Sequence, residues 1–319
     1  MPHAIAFLFP GQGAQHVGMG KALADSFPEA ASAFAEADRA FGHARDGSAK
    51  TLSQIVFDGP EDELVLTEYA QPAILAASVA ALRVLSAHGC VPTHVAGHSL
   101  GEYSANVAAG TLRFADAVAV VRHRGRLMQE AVPVGVGGMA AILGADLQVV
   151  DRACEESRGT EVVSPANINA PGQVVIAGHV EAVRRASDRA KELGARKAVA
   201  LSVSAPFHCA LMRGAQERLE PALRALATEQ PRVPVVSNVD ANPKADARSV
   251  IDALVRQVSA PVLWQASVER LVAEGVRTFV EVGPGAVLSG LVKKIAKDAR
   301  ILKFGVPDDL EEVMAACSL

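Results

Sequence analysis

The sequence predicts an α/β fold in which a large domain, built on a mostly parallel sheet, carries a smaller inserted domain. Three observations predict it. Short apolar runs alternate with longer Ala- and Leu-rich segments along the 319 residues, and strands alternating with helices build a parallel sheet. Half of the residues are apolar and 21% are charged, which excludes a disordered chain. The length exceeds one average domain and suffices for a sizeable core.

The elements follow in order. Residues 4–9 are apolar, and Pro10-Gly11-Gln12-Gly13 ends the run, so a short buried strand feeds a Gly-rich turn. Ala-rich helical stretches come next, with Pro28 placed to start one. Residues 68–88 are long, apolar and rich in Ala and Leu, which predicts a buried helix ending at Gly89. VPTHVAGHSLGEYSANVAAG reads as strand, sharp turn and helix, and residues 114–130 as a further helix. After Gly137 the texture changes. GMAAILG, EVVSPANIN, GQVVIAG and ARKAVALSV are strand-like, while LQVVDRACEES and HVEAVRRASDRAKELG are helix-like. Their order, β-α-β-β-α-β, is the ferredoxin-like pattern. It sets a small domain at 134–204 within a large one formed by 1–133 and 205–319. The large domain then resumes: residues 206–226 are helical, VPVVSNVD is a strand and turn, 249–258 and 261–275 are helices, RTFVEVGP is a strand, and AVLSGLVKKIAK is a short helix.

Lys and Arg total 31 against 35 Asp and Glu, a formal charge of -4. That leaves no global basic field for nucleic acid. Cys90, Cys154, Cys209 and Cys317 are scattered without a CxxC pair, which argues against a metal site and against a disulfide framework. The first residues lack the basic lead and apolar core of a signal peptide, and no apolar run reaches the roughly 18 residues of a membrane helix. The expectation is a cytoplasmic, monomeric protein of a reducing compartment, off the membrane.

The chemistry centres on Gly97-His98-Ser99-Leu100-Gly101, a G-x-S-x-G motif between a strand-like and a helix-like segment. In that context Ser99 stands exposed at a strained turn, and the N–H of Leu100 faces the place where an oxyanion forms. A serine nucleophile needs a base. His3, His16 and His43 lie in terminal or loop-like sequence, His88 and His94 flank a helix end and a strand, and His123 and His179 read as solvated. His208, in SAPFHCALM, sits where a strand ends and a turn begins, at the rim of a sheet where active sites form. No acidic residue stands out to orient it, which leaves that task to a backbone carbonyl or an amide. An α/β-hydrolase has its histidine near the C-terminus, whereas 111 residues follow His208, a poor fit to an esterase. Gln12, in the first turn, can add a second oxyanion donor. Arg122, Arg124 and Arg126 cannot share one helix face, and an inward member of the three would bind a carboxylate through two parallel hydrogen bonds.

Seven segments resemble, in order, the malonyl-CoA:acyl carrier protein transacylases of fatty acid synthesis and the acyltransferase domains of polyketide synthases: FPGQGAQ, GHSLGEYSA, VRHRGRLMQEAVP, NINAPGQVVIAGH, SAPFHCALM, DALVRQ and EVGPGAVLSGL. The resemblance implies an α/β-hydrolase-like large domain with a ferredoxin-like insert. It implies Ser99 as nucleophile, His208 as base, Arg124 as the clamp on a malonyl carboxylate, and backbone oxyanion donors at Gln12 and Leu100. Gln257 corresponds to the glutamine whose carbonyl orients the histidine, and His98, Asn167 and Asn169 to positions lining the pocket. Phe207 resembles the bulky residue that favours malonyl over methylmalonyl. Malonyl-CoA and a holo acyl carrier protein are the implied partners, with no cofactor. Arg196, Lys197, Lys293 and Lys294 fall on the implied docking rim, with Arg184 and Arg185 nearby. A free-standing polyketide acyltransferase and, at greater distance, a thioesterase or esterase are the alternatives.

Overall fold

The computed structural model describes residues 4–42, 50–201, 203 and 205–317. His3, His43 and the expected domain boundary at Ser204 lie outside the described residues. The first part of the chain comprises β1 (Ile5–Phe9), α1 (Lys21–Ser26), α2 (Pro28–Phe41), α3 (Leu52–Asp58), α4 (Glu61–Leu64), α5 (Thr67–Ala87), β2 (His94–Gly97), α6 (Gly101–Ala108) and α7 (Phe114–Glu130). The insert follows with β3 (Gly137–Leu143), α8 (Leu147–Ser157), β4 (Val163–Ala170), β5 (Gln173–His179), α9 (Val180–Glu192) and β6 (Lys197–Ala200). The remainder is α10 (Arg213–Arg224), β7 (Val235–Val236), β8 (Pro243–Lys244), α11 (Ala247–Gln257), α12 (Trp264–Ala273), β9 (Thr278–Val282), α13 (Val287–Ile295), β10 (Arg300–Phe304) and α14 (Leu310–Cys317).

The large sheet has the order β10-β9-β1-β2-β7-β8 and is parallel except for the β7–β8 pair. Every residue of the central strand β1 is buried, as expected where helices cover both faces of a parallel sheet. Side chains alternate across a strand, so Ile5, Phe7 and Phe9 enter one core while Ala6 and Leu8 enter the other. The register pairs Phe9 with Gly97, which brings the ends of β1 and β2 to the same edge. Both Gly-rich turns foreseen in the sequence leave the sheet there.

The insert's sheet runs β4-β5-β3-β6 and is antiparallel throughout. One face packs Ile142, Val174 and Ile176 against Val150 of α8 and Val183 of α9. Met139, Val175 and Ala177, on the other face, join the core of the large domain. Backbone bonds between Ile168, Ala166 and Val262 (2.8–2.9 Å) stitch β4 to the segment before α12.

Two expectations change. Helix α5 is long and apolar enough to cross a membrane by length and composition alone, contrary to the sequence reading. Its apolar window is nonetheless 83% buried inside the protein, which accounts for the apolarity as core packing. Cys90 and Cys317, expected to be unpaired, form a disulfide across 227 positions with a Cα–Cα distance of 5.5 Å. It ties the last turn of α14 to the segment after α5. Scatter along the sequence concealed the pair because α14, like β10, had no counterpart in the sequence reading.

Candidate active site

The turn after β2 is a strained strand-to-helix elbow. Ser99 has φ +51°, a left-handed conformation that a non-glycine residue holds only when its surroundings enforce it. The flanking glycines are a steric requirement. A Cβ on Gly97 would lie 2.0 Å from the Gly101 carbonyl group, and one on Gly101 would lie 1.9 Å from the Phe9 oxygen. The chain therefore turns tightly against the end of β1. The Ser99 N–H donates to Asn238 Oδ1 at 2.7 Å, and Asn238 Nδ2 donates to the Gly97 carbonyl at 2.7 Å. These bonds engage the backbone of the turn and not the Ser99 hydroxyl.

His208 reaches Ser99 from the loop before α10, itself at φ +58°. The expected helix over 206–226 is delayed, with a 3₁₀ turn at Ala210–Met212 preceding α10, and the irregular stretch turns the imidazole inward. Nδ1 faces the Gln257 carbonyl at 2.9 Å and Nε2 faces Ser99 Oγ at 2.7 Å. A carbonyl can only accept, so Nδ1 carries the proton and Nε2 is free to take one from the serine. Burial, and after it the nearby Arg124 charge, lowers the imidazole to about 3. At neutral pH it is an uncharged base.

Arg124 is the inward member of the arginine triplet and is fully buried. Nη1 donates to Gln71 Oε1 at 2.7 Å, and Nη2 donates to Gln257 Oε1 at 3.0 Å and to Ser99 Oγ at 3.2 Å. Among the described residues, its Nε has no hydrogen-bond partner. Among the described residues, no carboxylate forms an ion pair with it. Arg122 instead stacks over Phe41, 4.0 Å from the ring centroid, and bonds the Phe41 carbonyl; Arg126 faces His123. A buried guanidinium held by neutral groups alone is a site that favours an anion.

A cleft of about 470 Å³ opens over Ser99 and His208, lined also by Gln12, His98, Asn167 and Phe207. The Gln12 side chain is tied to the Thr67 hydroxyl. Among the described residues, the backbone N–H groups of Gln12 and Leu100 have no hydrogen-bond acceptor. The buried Oδ1 of Asn167 has no partner among the described residues. Asn169 lies behind the wall and holds His98, Nε2 to Oδ1 at 2.8 Å; burial lowers the His98 pKa. Arg196, Lys197, Lys293 and Lys294 are exposed, and Lys294 donates to Gln173 of the insert at 2.8 Å. Arg184 and Arg185 are engaged by Glu181, Asp188 and Glu161, so they differ from the four rim cations, which form no ion pair among the described residues.

Sequence reasoning missed Glu102, Asn238 and Gln71. Glu102 is 1% exposed, and burial above all raises it to about 7. Its presence in GHSLGEYSA was the available signal, since a carboxylate three residues after a nucleophile candidate on a buried helix requires partners.

A family model described as an acyl transferase domain matches residues 6–308. The chain belongs to the acyl transferase domain family. This acyl transferase domain is 51% identical over 291 residues to the malonyl CoA-acyl carrier protein transacylase of Salmonella typhimurium, covering 91% of this chain and 92% of that one. It is similar to an acyl carrier protein S-malonyltransferase from Vibrio cholerae, with a TM-score of 0.93, 45% identity, and coverage of 97% and 99%. It is also similar to a malonyl-transacylase solved in complex with its type II polyketide-synthase acyl carrier protein, with a TM-score of 0.94, 45% identity, and coverage of 98% and 99%.

Proposed function

We propose that this acyl transferase domain moves the malonyl group from malonyl-CoA to the pantetheine thiol of an acyl carrier protein through a malonyl ester of Ser99. The observation that carries the reading is the buried Arg124 guanidinium, which forms no ion pair with a carboxylate among the described residues and lies 3.2 Å from the Ser99 hydroxyl. His208 Nε2 takes the hydroxyl proton as Ser99 Oγ attacks the thioester carbonyl. The oxyanion is held by the N–H groups of Leu100 and Gln12. Collapse breaks the C–S bond, and the CoA sulfur leaves as a thiol with the proton from His208. In the second half the carrier thiol gives its proton to His208 and attacks the ester; Ser99 regains the proton as it leaves.

Arg124 serves selectivity in two ways. A malonyl carboxylate pairs with the guanidinium, whereas an acetyl group leaves a buried charge unpaired, at a cost of about 3–5 kcal/mol when such a pair is broken. Neutralising Arg124 also removes one of the two main influences that depress His208, so the correct acyl group makes the base stronger. Phe207, on the cleft wall, limits room for a methyl branch. The exposed Arg196, Lys197, Lys293 and Lys294 offer a rim for an acidic carrier protein. The insert is assigned to 134–204, because its sheet is complete within those limits, and the large domain to 1–133 and 205–319. A monomeric, cytoplasmic enzyme without a resident cofactor goes with this reading.

Incubation with malonyl-CoA and holo carrier protein tests it: malonyl-carrier thioester is expected, and free malonate without that product contradicts it. The match to a polyketide malonyl-transacylase with its carrier favours a second reading, in which the carrier belongs to a polyketide synthase. Competition between the two carrier types separates them.

A further inference from the structure

Gln257 connects the two reactive ends of the site. Its backbone carbonyl accepts from His208 Nδ1 (2.9 Å) and its side-chain Oε1 accepts from Arg124 Nη2 (3.0 Å). Its Nε2 donates to the Ser99 carbonyl at 2.9 Å and to Glu102 Oε2 at 2.7 Å. A primary amide can face either way, and only its partners select the orientation. Turned over, Gln257 would set its NH₂ against the Arg124 donors and its oxygen against Glu102 and the Ser99 carbonyl, which mismatches these side-chain contacts. Glu102 Oε2 is the strongest acceptor on the Nε2 side. The same oxygen accepts the Asn238 N–H at 3.0 Å, and Asn238 in turn holds the Ser99 N–H. All of these groups but Ser99 are buried, where a mismatched polar contact is costly.

We propose that Glu102 is a positioning residue that acts through Gln257 and Asn238, fixing at once the base His208, the clamp Arg124 and the nucleophile elbow. The acid absent beside the histidine is thus present one residue further away. It contacts the Gln257 amide that holds Arg124 and the Ser99 carbonyl, while the backbone carbonyl of the same residue holds His208; it acts as a hydrogen-bond acceptor of fixed reach, and its charge is not the operative property. The effect on acyl choice rests on the proposed malonyl clamp, whereas the effect on Ser99 reactivity does not.

Three variants separate these possibilities. Glu102→Gln keeps an acceptor oxygen at the same reach, Glu102→Asp keeps the charge but withdraws it by one methylene, and Glu102→Met removes the acceptor at similar volume. Each is checked for folding by circular dichroism and assayed at a temperature where it is folded. Two quantities are read: the labelling rate of Ser99 by a fluorophosphonate, and the malonyl-to-acetyl ratio loaded from mixed CoA thioesters. The Gln variant is expected within about threefold of the parent in both. The Asp and Met variants are expected to label roughly tenfold more slowly and to lose selectivity. If Met does not fold, the order of Gln above Asp decides. Asp equal to or above Gln, or unchanged labelling and selectivity in folded Asp and Met variants, overturns the proposal. If the parent labels with fluorophosphonate but loads no malonyl, the clamp reading fails while the labelling series still tests Glu102.

Discussion

The Arg124 guanidinium donates to the Ser99 hydroxyl at 3.2 Å and is otherwise held by the neutral side chains of Gln71 and Gln257. A charge placed beside a serine hydroxyl in a buried site is stable only because those amides satisfy part of its donor fork. The malonyl carboxylate proposed as its partner would complete the set.

Arg124→Met is therefore expected to depress malonyl loading of Ser99 by roughly 10²-fold or more, in line with loss of a buried charge pair. Acetyl loading should be retained or improved. Single-turnover loading from each CoA thioester measures both. Equal losses for the two acyl groups would show that Arg124 serves the serine and not the substrate.

His208 is expected to remain neutral, with its proton on Nδ1, as pH falls well below 6.5, because burial first and Arg124 second lower it to about 3. Imidazole ¹⁵N shifts measure this, and a midpoint near 6.5 would contradict it. The folded pKa is depressed, so the unfolded chain takes up this proton first. The group thus contributes nothing to the pH dependence of stability above about 6.5 and destabilises the fold as pH falls from there towards 3.

Gly101→Ala is expected to destabilise the protein by roughly 3 kcal/mol, at the upper end of overpacking costs. Its Cβ would meet a backbone oxygen at 1.9 Å, and main chain cannot yield as a side chain does. Chemical denaturation measures it; an unchanged midpoint would show that the elbow relaxes freely.

Alkylation in denaturant without reductant is expected to modify Cys154 and Cys209 only, and all four cysteines after reduction, because Cys90 and Cys317 are paired. Mass spectrometry counts the additions. Four additions without reductant would show that the pair is not bonded in the isolated protein.

What the sequence disclosed and what it withheld follow from range. The elbow was legible because Gly97, Ser99 and Gly101 are neighbours and their spacing is itself the steric solution. The insert was legible because its six elements are consecutive and each carries its own periodicity. The inward arginine followed from helix geometry only as one of three, and the resemblance singled out Arg124. Gln71 and Asn238 were not legible from the residues, since their partners Arg124 and Ser99 lie 53 and 139 positions away; Glu102 carried a signal in its place within GHSLGEYSA, but its partner Gln257 lies 155 positions on. Strand β7 was read within VPVVSNVD, whereas the two-residue strand β8 is too short to show a period. Helix α5 was read as core from its composition, and the packing of the folded chain makes it so.

The most direct test is intact-mass analysis of the protein after brief exposure to mixed malonyl-CoA and acetyl-CoA, followed by addition of holo acyl carrier protein. A malonyl adduct confined to Ser99, absent from Ser99→Ala and discharged onto the carrier thiol, is the predicted result. Malonyl transfer that persists in Ser99→Ala, or an adduct that water discharges faster than the carrier does, would contradict it.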